Sequence, residues 1–211
     1  PIATILDLGA YEHENGVGPY DGPVWYVNGA EALPYGNGSL SAPYSMIGPA
    51  IGAAADGDTV HVAAATYVEN INFNGKNIAV IGADRETTII DGNQAGSVVM
   101  FDGSNNETTV LSGFTIRNGL SENGGGIYYI NSNATLSNLK VVDNTASDWG
   151  GGLFLQYSNP TMDNIFIRNN SADRGGGIIC YNSSSPTLKN ISISANSSNL
   201  NGGGIYAYNG S

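Results

Sequence analysis

The chain has 211 residues, enough to bury a sizeable core as one domain or as one domain with appendages. Seven basic against 18 acidic residues give a net charge of -11, which argues against nucleic acid and anionic membrane surfaces as partners. The single Cys180 excludes an internal disulfide framework and a cysteine-based zinc site, and no apolar run approaches the roughly 20 residues that insert across a bilayer. Charged residues make up only 12% and glycine supplies 30 positions. Ile, Val, Thr and Tyr nevertheless recur in short runs, the pattern of ordered strands joined by tight turns rather than of a disordered chain.

In chain order, the first segment is residues 1–23. It holds the apolar run Ile5-Leu6-Asp7-Leu8-Gly9-Ala10-Tyr11-Glu12 and then a Gly- and Pro-rich linker, Gly16 to Pro23. The opening on Pro1 and the close on Ser211 in mid-pattern read as part of something longer. Residues 24–58 follow as an N-terminal cap with one short amphipathic helix, Ser45 to Ala55. Ser45 is its expected N-cap, Pro49 falls in the first turn, and Met46, Ile47, Ala50, Ile51 and Ala54 form its apolar stripe, with Gly57 ending it.

From residue 59 to 211 the sequence repeats. Glycine triplets begin at Gly124, Gly150, Gly175 and Gly202, at intervals of 26, 25 and 27 residues. Asn138, Asn164 and Asn190 keep the same step, as do Asn144, Asn170 and Asn196. After the first set of asparagines the first and third positions are always aliphatic (Leu139 and Val141, Ile165 and Ile167, Ile191 and Ile193), the period of a strand. Each unit thus carries about three short strands that bury their apolar faces only when copies stack, with equivalent residues about 4.8 Å apart. Phasing earlier strands on the same rule gives two inward ladders: Ile78, Phe114, Leu139, Ile165, Ile191, and Val80, Ile116, Val141, Ile167, Ile193. Asn77, Asn138, Asn164 and Asn190 form one corner ladder, where a residue that tolerates left-handed backbone is needed. The fold class is all-β: a right-handed parallel β-helix of about five coils.

The run Gly57-Asp58-Thr59-Val60-His61-Val62-Ala63-Ala64-Ala65-Thr66-Tyr67, with Ile71-Asn72-Phe73, Lys76-Asn77-Ile78 and Thr88-Ile89-Ile90-Asp91-Gly92, resembles the opening of pectin-lyase-like right-handed β-helix proteins. The Gly-Gly-Gly-Ile-Tyr and Pro-Thr-Leu-Lys-Asn-Ile units are similar to bacterial secreted or surface-anchored β-helix repeats. The resemblance covers Val24 to Ser211 and implies that the short helix caps the open end of the solenoid. It also implies that Ile5, Leu6, Leu8 and Tyr11 belong to a strand closing a preceding β-helix domain, or to one donated to a neighbouring subunit.

Candidate sites are weighed against plain structural roles. Arg117 and Arg168 lie outward, two coils apart across Val142, with no carboxylate column beside them, so they read as solvated arginines rather than catalytic bases. Tyr128, Phe154 and Tyr206 follow the triplets, with Ile179 interrupting, and form either a strip for sugar rings or protein partners or a stacking ladder. Glu122, Asp148 and Asp173 each precede a triplet by two residues, where calcium competes with ordinary turn chemistry. No other cofactor is indicated. His61 points away from the core, His13 lies in the leader, and Cys180 aligns with Leu155 and Ala207 as a small core residue. The leading expectation is a structural or adhesive β-helix, extracellular or at the cell surface, either a segment of a large surface protein or a subunit assembling end to end into a fibre, partnered by copies of itself or by adjacent β-helix domains. A carbohydrate-binding module comes second and a polysaccharide lyase or hydrolase third.

Overall fold

The computed structural model describes residues 19–30, 36–103 and 105–211. Every strand pairing is parallel, and the strands form three sheets of ten, four and six strands that share the coils of one solenoid. About six coils succeed one another. The parallel stack starts before Thr59, because Val24–Val27 pairs with Thr59–Val62 and so belongs to the coil rather than to a separate cap. No helix among the described residues is long and apolar enough to cross a membrane.

The largest sheet bends along its length. In the later coils one strand of eight residues makes both arms: Thr135–Val142, Thr161–Arg168 and Thr187–Ser194. Asn138, Asn164 and Asn190 sit at the bend with φ of 51°, 56° and 51°. Asparagine tolerates this left-handed conformation better than other side chains with a Cβ. In the earlier coils glycine takes the same place: a Cβ built on Gly82 would collide with Gly113 O, and Gly113 N–H donates to Asn138 O at 3.2 Å.

Asn77 does not belong to this corner. The strand after it, Ala79–Gly82, pairs with Val110–Ser112, the first arm of the sheet, and Val80 stacks on Leu111, Leu136, Met162 and Leu188 in turn. The second-arm ladder is Tyr67, Ile90, Ile116, Val141, Ile167 and Ile193. Both expected ladders were therefore out of phase at their first member. The cause is a five-residue spacer, Ala83 to Thr87, between the two arms of this coil, where the preceding coil has only Ala63 and Ala64. Asn77 stands one corner earlier, where its Oδ1 accepts from Asn106 N–H (2.9 Å) and Thr109 Oγ1 (3.0 Å).

Aliphatic rows fill the interior, joined by a ring stack of Phe73, Phe101 and Tyr129 with centroids 4.4 Å apart. Two polar rows run through the same interior. Asn144 N–H and Nδ2 both donate to Asn170 Oδ1, and Asn170 repeats the arrangement with Asn196. At another corner Ser132 N–H donates to Ser158 Oγ, Ser158 N–H to Ser184 Oγ, and Ser184 N–H to Ser211 Oγ, at 3.0–3.1 Å. Each turn of backbone is thereby satisfied by a side chain of the next coil, which meets the requirement that buried amides be paired.

The helix, α1 (Ile47–Ala53), lies over one end of the coil with Ile47, Ala50 and Ile51 buried. Ser45 is not its cap, and Met46, 45% exposed, is not part of its buried stripe. The Glu69 carboxylate does the capping, accepting from Ile47 N–H at 2.8 Å and Gly48 N–H at 2.9 Å. At the other terminus Lys76 Nζ donates to the carbonyls of Ile51, Gly52 and Ala54 at 2.6–2.8 Å. Both charges suit the helix dipole.

Candidate functional site

The spacer that shifts the ladders also builds one wall of a surface groove. Asp84 folds the spacer back on itself: its Oδ1 accepts Glu86 N–H at 2.7 Å and its carbonyl accepts Thr87 and Thr88 N–H. Arg85 then lies along the outer face of the bent sheet, donating to Asn164 O at 3.0 Å with its guanidinium 4.6 Å above the Phe166 ring. Thr115 Oγ1 donates to Arg85 O at 2.6 Å and pins the loop. Between this wall and the turn at Asp143 and Asn169 runs a groove of about 740 Å³, floored by Thr115, Arg117, Lys140, Phe166 and Arg168.

Four of the seven Lys and Arg residues of the chain converge here: Arg85, Arg117, Lys140 and Arg168. Lys140 pairs with Glu86, and Arg117 pairs with Asp91 at 2.9 Å. Arg168 has no ion-pair partner among the described residues. Among the described residues no carboxylate column runs beside Arg117 and Arg168, but one carboxylate that the sequence reading did not pair with Arg117, Asp91, stands directly beneath it in register. Burial pushes the Asp91 carboxyl up, but bonds from Asn93 N–H, Arg117 and Asn118 outweigh it and hold the carboxyl below its ordinary value. Arg85 and Glu86 escaped the sequence reading, and so did the pairing of Asp91 with Arg117. Asp91 was within its reach, one coil step of 26 before Arg117, whereas Arg85 and Glu86 sit in a spacer outside the repeat.

On the six-stranded sheet Tyr128, Phe154, Ile179 and Tyr206 share one outward column in register. Tyr128 and Phe154 stack at 5.3 Å and Phe154 is buried. Trp149, Tyr181 and Tyr208, not singled out in the sequence, complete the cluster: Tyr181 and Tyr208 stack at 5.9 Å with planes 5° apart, and Trp149 lies 5.2 Å from Tyr181 and 6.4 Å from Tyr206. Arg174 sits 4.8 Å over Trp149. Rings stacked coil on coil turn their faces toward one another, and a sugar ring stacks on faces. The column geometry therefore favours the stacking ladder.

The acidic positions do not converge. Asp148 pairs with Arg174, Asp173 Oδ1 accepts from Asn199 Nδ2 at 2.7 Å, and Glu122 is exposed. No group of three or more His, Cys, Asp or Glu side chains among the described residues is arranged to hold a metal ion. His61 is exposed and stacks on Tyr26 at 5.9 Å. Cys180 stands in register between Leu155 and Ala207, and burial pushes its thiol up to about 11. Ile5, Leu6, Leu8, Tyr11 and His13 lie outside the described residues.

A family model described as a right-handed β-helix region matches residues 97–211, more than half of the chain, and the chain belongs to that family. No curated protein and no solved structure matches it.

Proposed function

We propose that this chain is a rigid extracellular scaffold, a β-helix segment of a surface protein whose outer columns contact partners. The observation that carries the reading is the continuity of the ladders. Apolar rows, an asparagine row and a serine row pass from coil to coil, and such a stack resists bending because each coil is bonded to its neighbours. An acidic, Asn- and Ser-rich chain supports a cell-surface or secreted setting. Assembly of identical copies into a fibre is the variant of this reading. Helix α1 covers one end, which disfavours rung-on-rung stacking of copies head to tail. A fibre would instead need a strand donated from residues 1–23, with Ile5, Leu6, Leu8 and Tyr11 as its apolar positions.

Light scattering with negative-stain electron microscopy tests the proposal. Short monomeric rods support the segment. Long uniform filaments support the fibre, and filaments that survive deletion of residues 1–23 would remove strand donation. Compact particles without a rod shape would refute both.

Polysaccharide binding is a second reading, favoured by the groove rather than by the aromatic column. Among the described residues Arg168 has no ion-pair partner, in a groove lined by four of the chain's seven Lys and Arg residues against two carboxylates, Glu86 and Asp143, so acidic glycans are the class to try. Affinity electrophoresis through acidic and neutral polysaccharides tests it. Retardation by the acidic ones that Arg168→Ala abolishes supports it, and equal mobility in all gels refutes it.

A further inference from the structure

At the corner that follows the six-stranded sheet, Asn131, Tyr157 and Asn182 succeed one another in register, each just after the last residue of its strand. All three hold left-handed backbone, with φ of 51°, 50° and 50°. Asparagine suits that conformation, whereas a tyrosine there brings its Cβ against the carbonyl that follows. Among the described residues Tyr157 is the only aromatic residue with positive φ. We propose that Tyr157 is the platform of a binding site separate from the groove, one for an uncharged carbohydrate. The sugar ring stacks on the phenol, and its hydroxyls bond to the side-chain amides of Asn131 and Gln156.

The strained backbone is one observation, and the state of the ring is the second. Tyr157 is 53% exposed, and no ring, cation or hydrogen bond engages its side chain among the described residues. The neighbouring column differs in this respect, since Tyr128 and Phe154 already stack on each other. Left-handed strain in a residue that no specific internal contact holds is a mark of a residue kept for what it binds.

The surroundings identify the ligand. Residues 127–134, 153–160 and 178–186 carry three successive coils through this sheet and corner, and they contain no Lys, Arg, Asp or Glu to select a charged group. Between residues 127 and 186 the exposed large apolar side chains are Tyr157 and Phe166, and Phe166 lies in the groove. A protein partner needs an apolar patch around its anchor, and Tyr157 stands alone. A sugar needs less: one aromatic face for its apolar side, and donors and acceptors at its rim. Asn131 lies one rung away, about 4.8 Å along the stack, and Gln156 precedes Tyr157 in the chain. Neither side-chain amide has a partner among the described residues. Each offers both a donor and an acceptor, which is what a sugar hydroxyl needs.

Affinity electrophoresis of the 211-residue chain through gels of hydroxyethylcellulose, galactomannan and laminarin tests the site. At least one of these neutral polysaccharides should retard the chain. Tyr157→Asn should weaken that affinity by about tenfold, whereas Tyr157→Trp should keep it. Asparagine is the residue of both flanking coils, so Tyr157→Asn should also hold the melting temperature or raise it by about 2 °C. Free mobility in all three gels would overturn the inference, and so would retardation that Tyr157→Asn leaves unchanged. A lower melting temperature for Tyr157→Asn would overturn it too, since the fold itself would then need the ring. Retardation in acidic gels alone would remove this site and leave the groove reading standing.

Discussion

Asn170 Oδ1 accepts two hydrogen bonds from Asn144, one from its backbone N–H and one from Nδ2, each at 3.0 Å and both away from water. Asn144 is itself the acceptor for Gly119 N–H at 2.9 Å, and its Nδ2 also donates to the carbonyls of Ile116 and Val142. An amide side chain is suited to this place because it carries donor and acceptor together, so one residue type repeated each coil satisfies the turn above and the turn below. Such a row is cooperative in consequence: removing one member strands groups in its neighbour.

Asn170→Leu should therefore cost about 2–4 kcal/mol, because it leaves the buried backbone N–H of Asn144 without an acceptor and removes the Nδ2 donor to Val141 O. Asn199→Ala, at an exposed position bonded only to Asp173, should stay within about 0.5 kcal/mol of the parent. Urea unfolding followed by circular dichroism distinguishes them. Equal midpoints for the two variants would show that the inner row contributes nothing beyond surface asparagines.

Glycine at the triplet corner is a matter of space. At Gly151, where φ is unexceptional, alanine would drive its methyl into the carbonyls of Ser171 and Gly176, both backbone atoms that cannot rotate away. Gly151→Ala should cost about 3 kcal/mol or more. Gly52, on α1, has nothing within 4 Å of a built Cβ, and Gly52→Ala should stabilise by about 0.5–1 kcal/mol through helix propensity. Opposite signs from the same substitution, read by thermal melting, are the expected outcome.

Glu69 holds α1 through two backbone N–H groups, and Gln offers only one oxygen in place of two. Glu69→Gln should weaken the cap by about 1 kcal/mol. The effect should be local: hydrogen exchange rises in Ile47 to Ala53 while the coils beyond Thr135 keep their protection. Faster exchange throughout the chain would instead mean that the cap governs the whole stack.

Much of the fold was legible because its markers are residues with strong backbone reasons. Glycine triplets and corner asparagines recur where chains touch or where φ is positive, and their 26-residue step survives in plain sequence. The legible part stops where a partner is distant or a spacer intervenes. Ser45 looks like a cap by local rules, yet the acceptor comes from Glu69, 22 residues beyond Ile47, and no local pattern encodes that. The Ala83–Thr87 spacer threw Asn77, Ile78 and Val80 out of phase, and the same spacer raises the groove wall through Arg85. Ser132, Ser158 and Ser184 keep the coil step as faithfully as the asparagines, but serine is too common in this chain for the row to stand out. The groove was illegible for a related reason: its wall lies outside the repeat, so repeat logic alone left Arg117 and Arg168 as unconnected surface charges.

Asp91 links that groove to pH. Its Oδ2 accepts from Arg117 Nε at 2.9 Å and from Asn118 Nδ2 at 2.8 Å, and its Oδ1 from Asn93 N–H at 3.0 Å, so the folded state prefers the carboxylate even against the burial that opposes it. A carboxyl whose folded pKa lies below its unfolded value of 3.8 contributes stability that is fully present above about pH 5 and is lost as pH falls through the folded pKa. Asp91→Asn removes this titration while keeping one oxygen for the Asn93 N–H. The parent should therefore lose more stability than the variant between pH 5 and the acid limit, and their urea midpoints should converge as pH drops. Parallel pH profiles for the two proteins would show that the Asp91–Arg117 pair does not couple to folding.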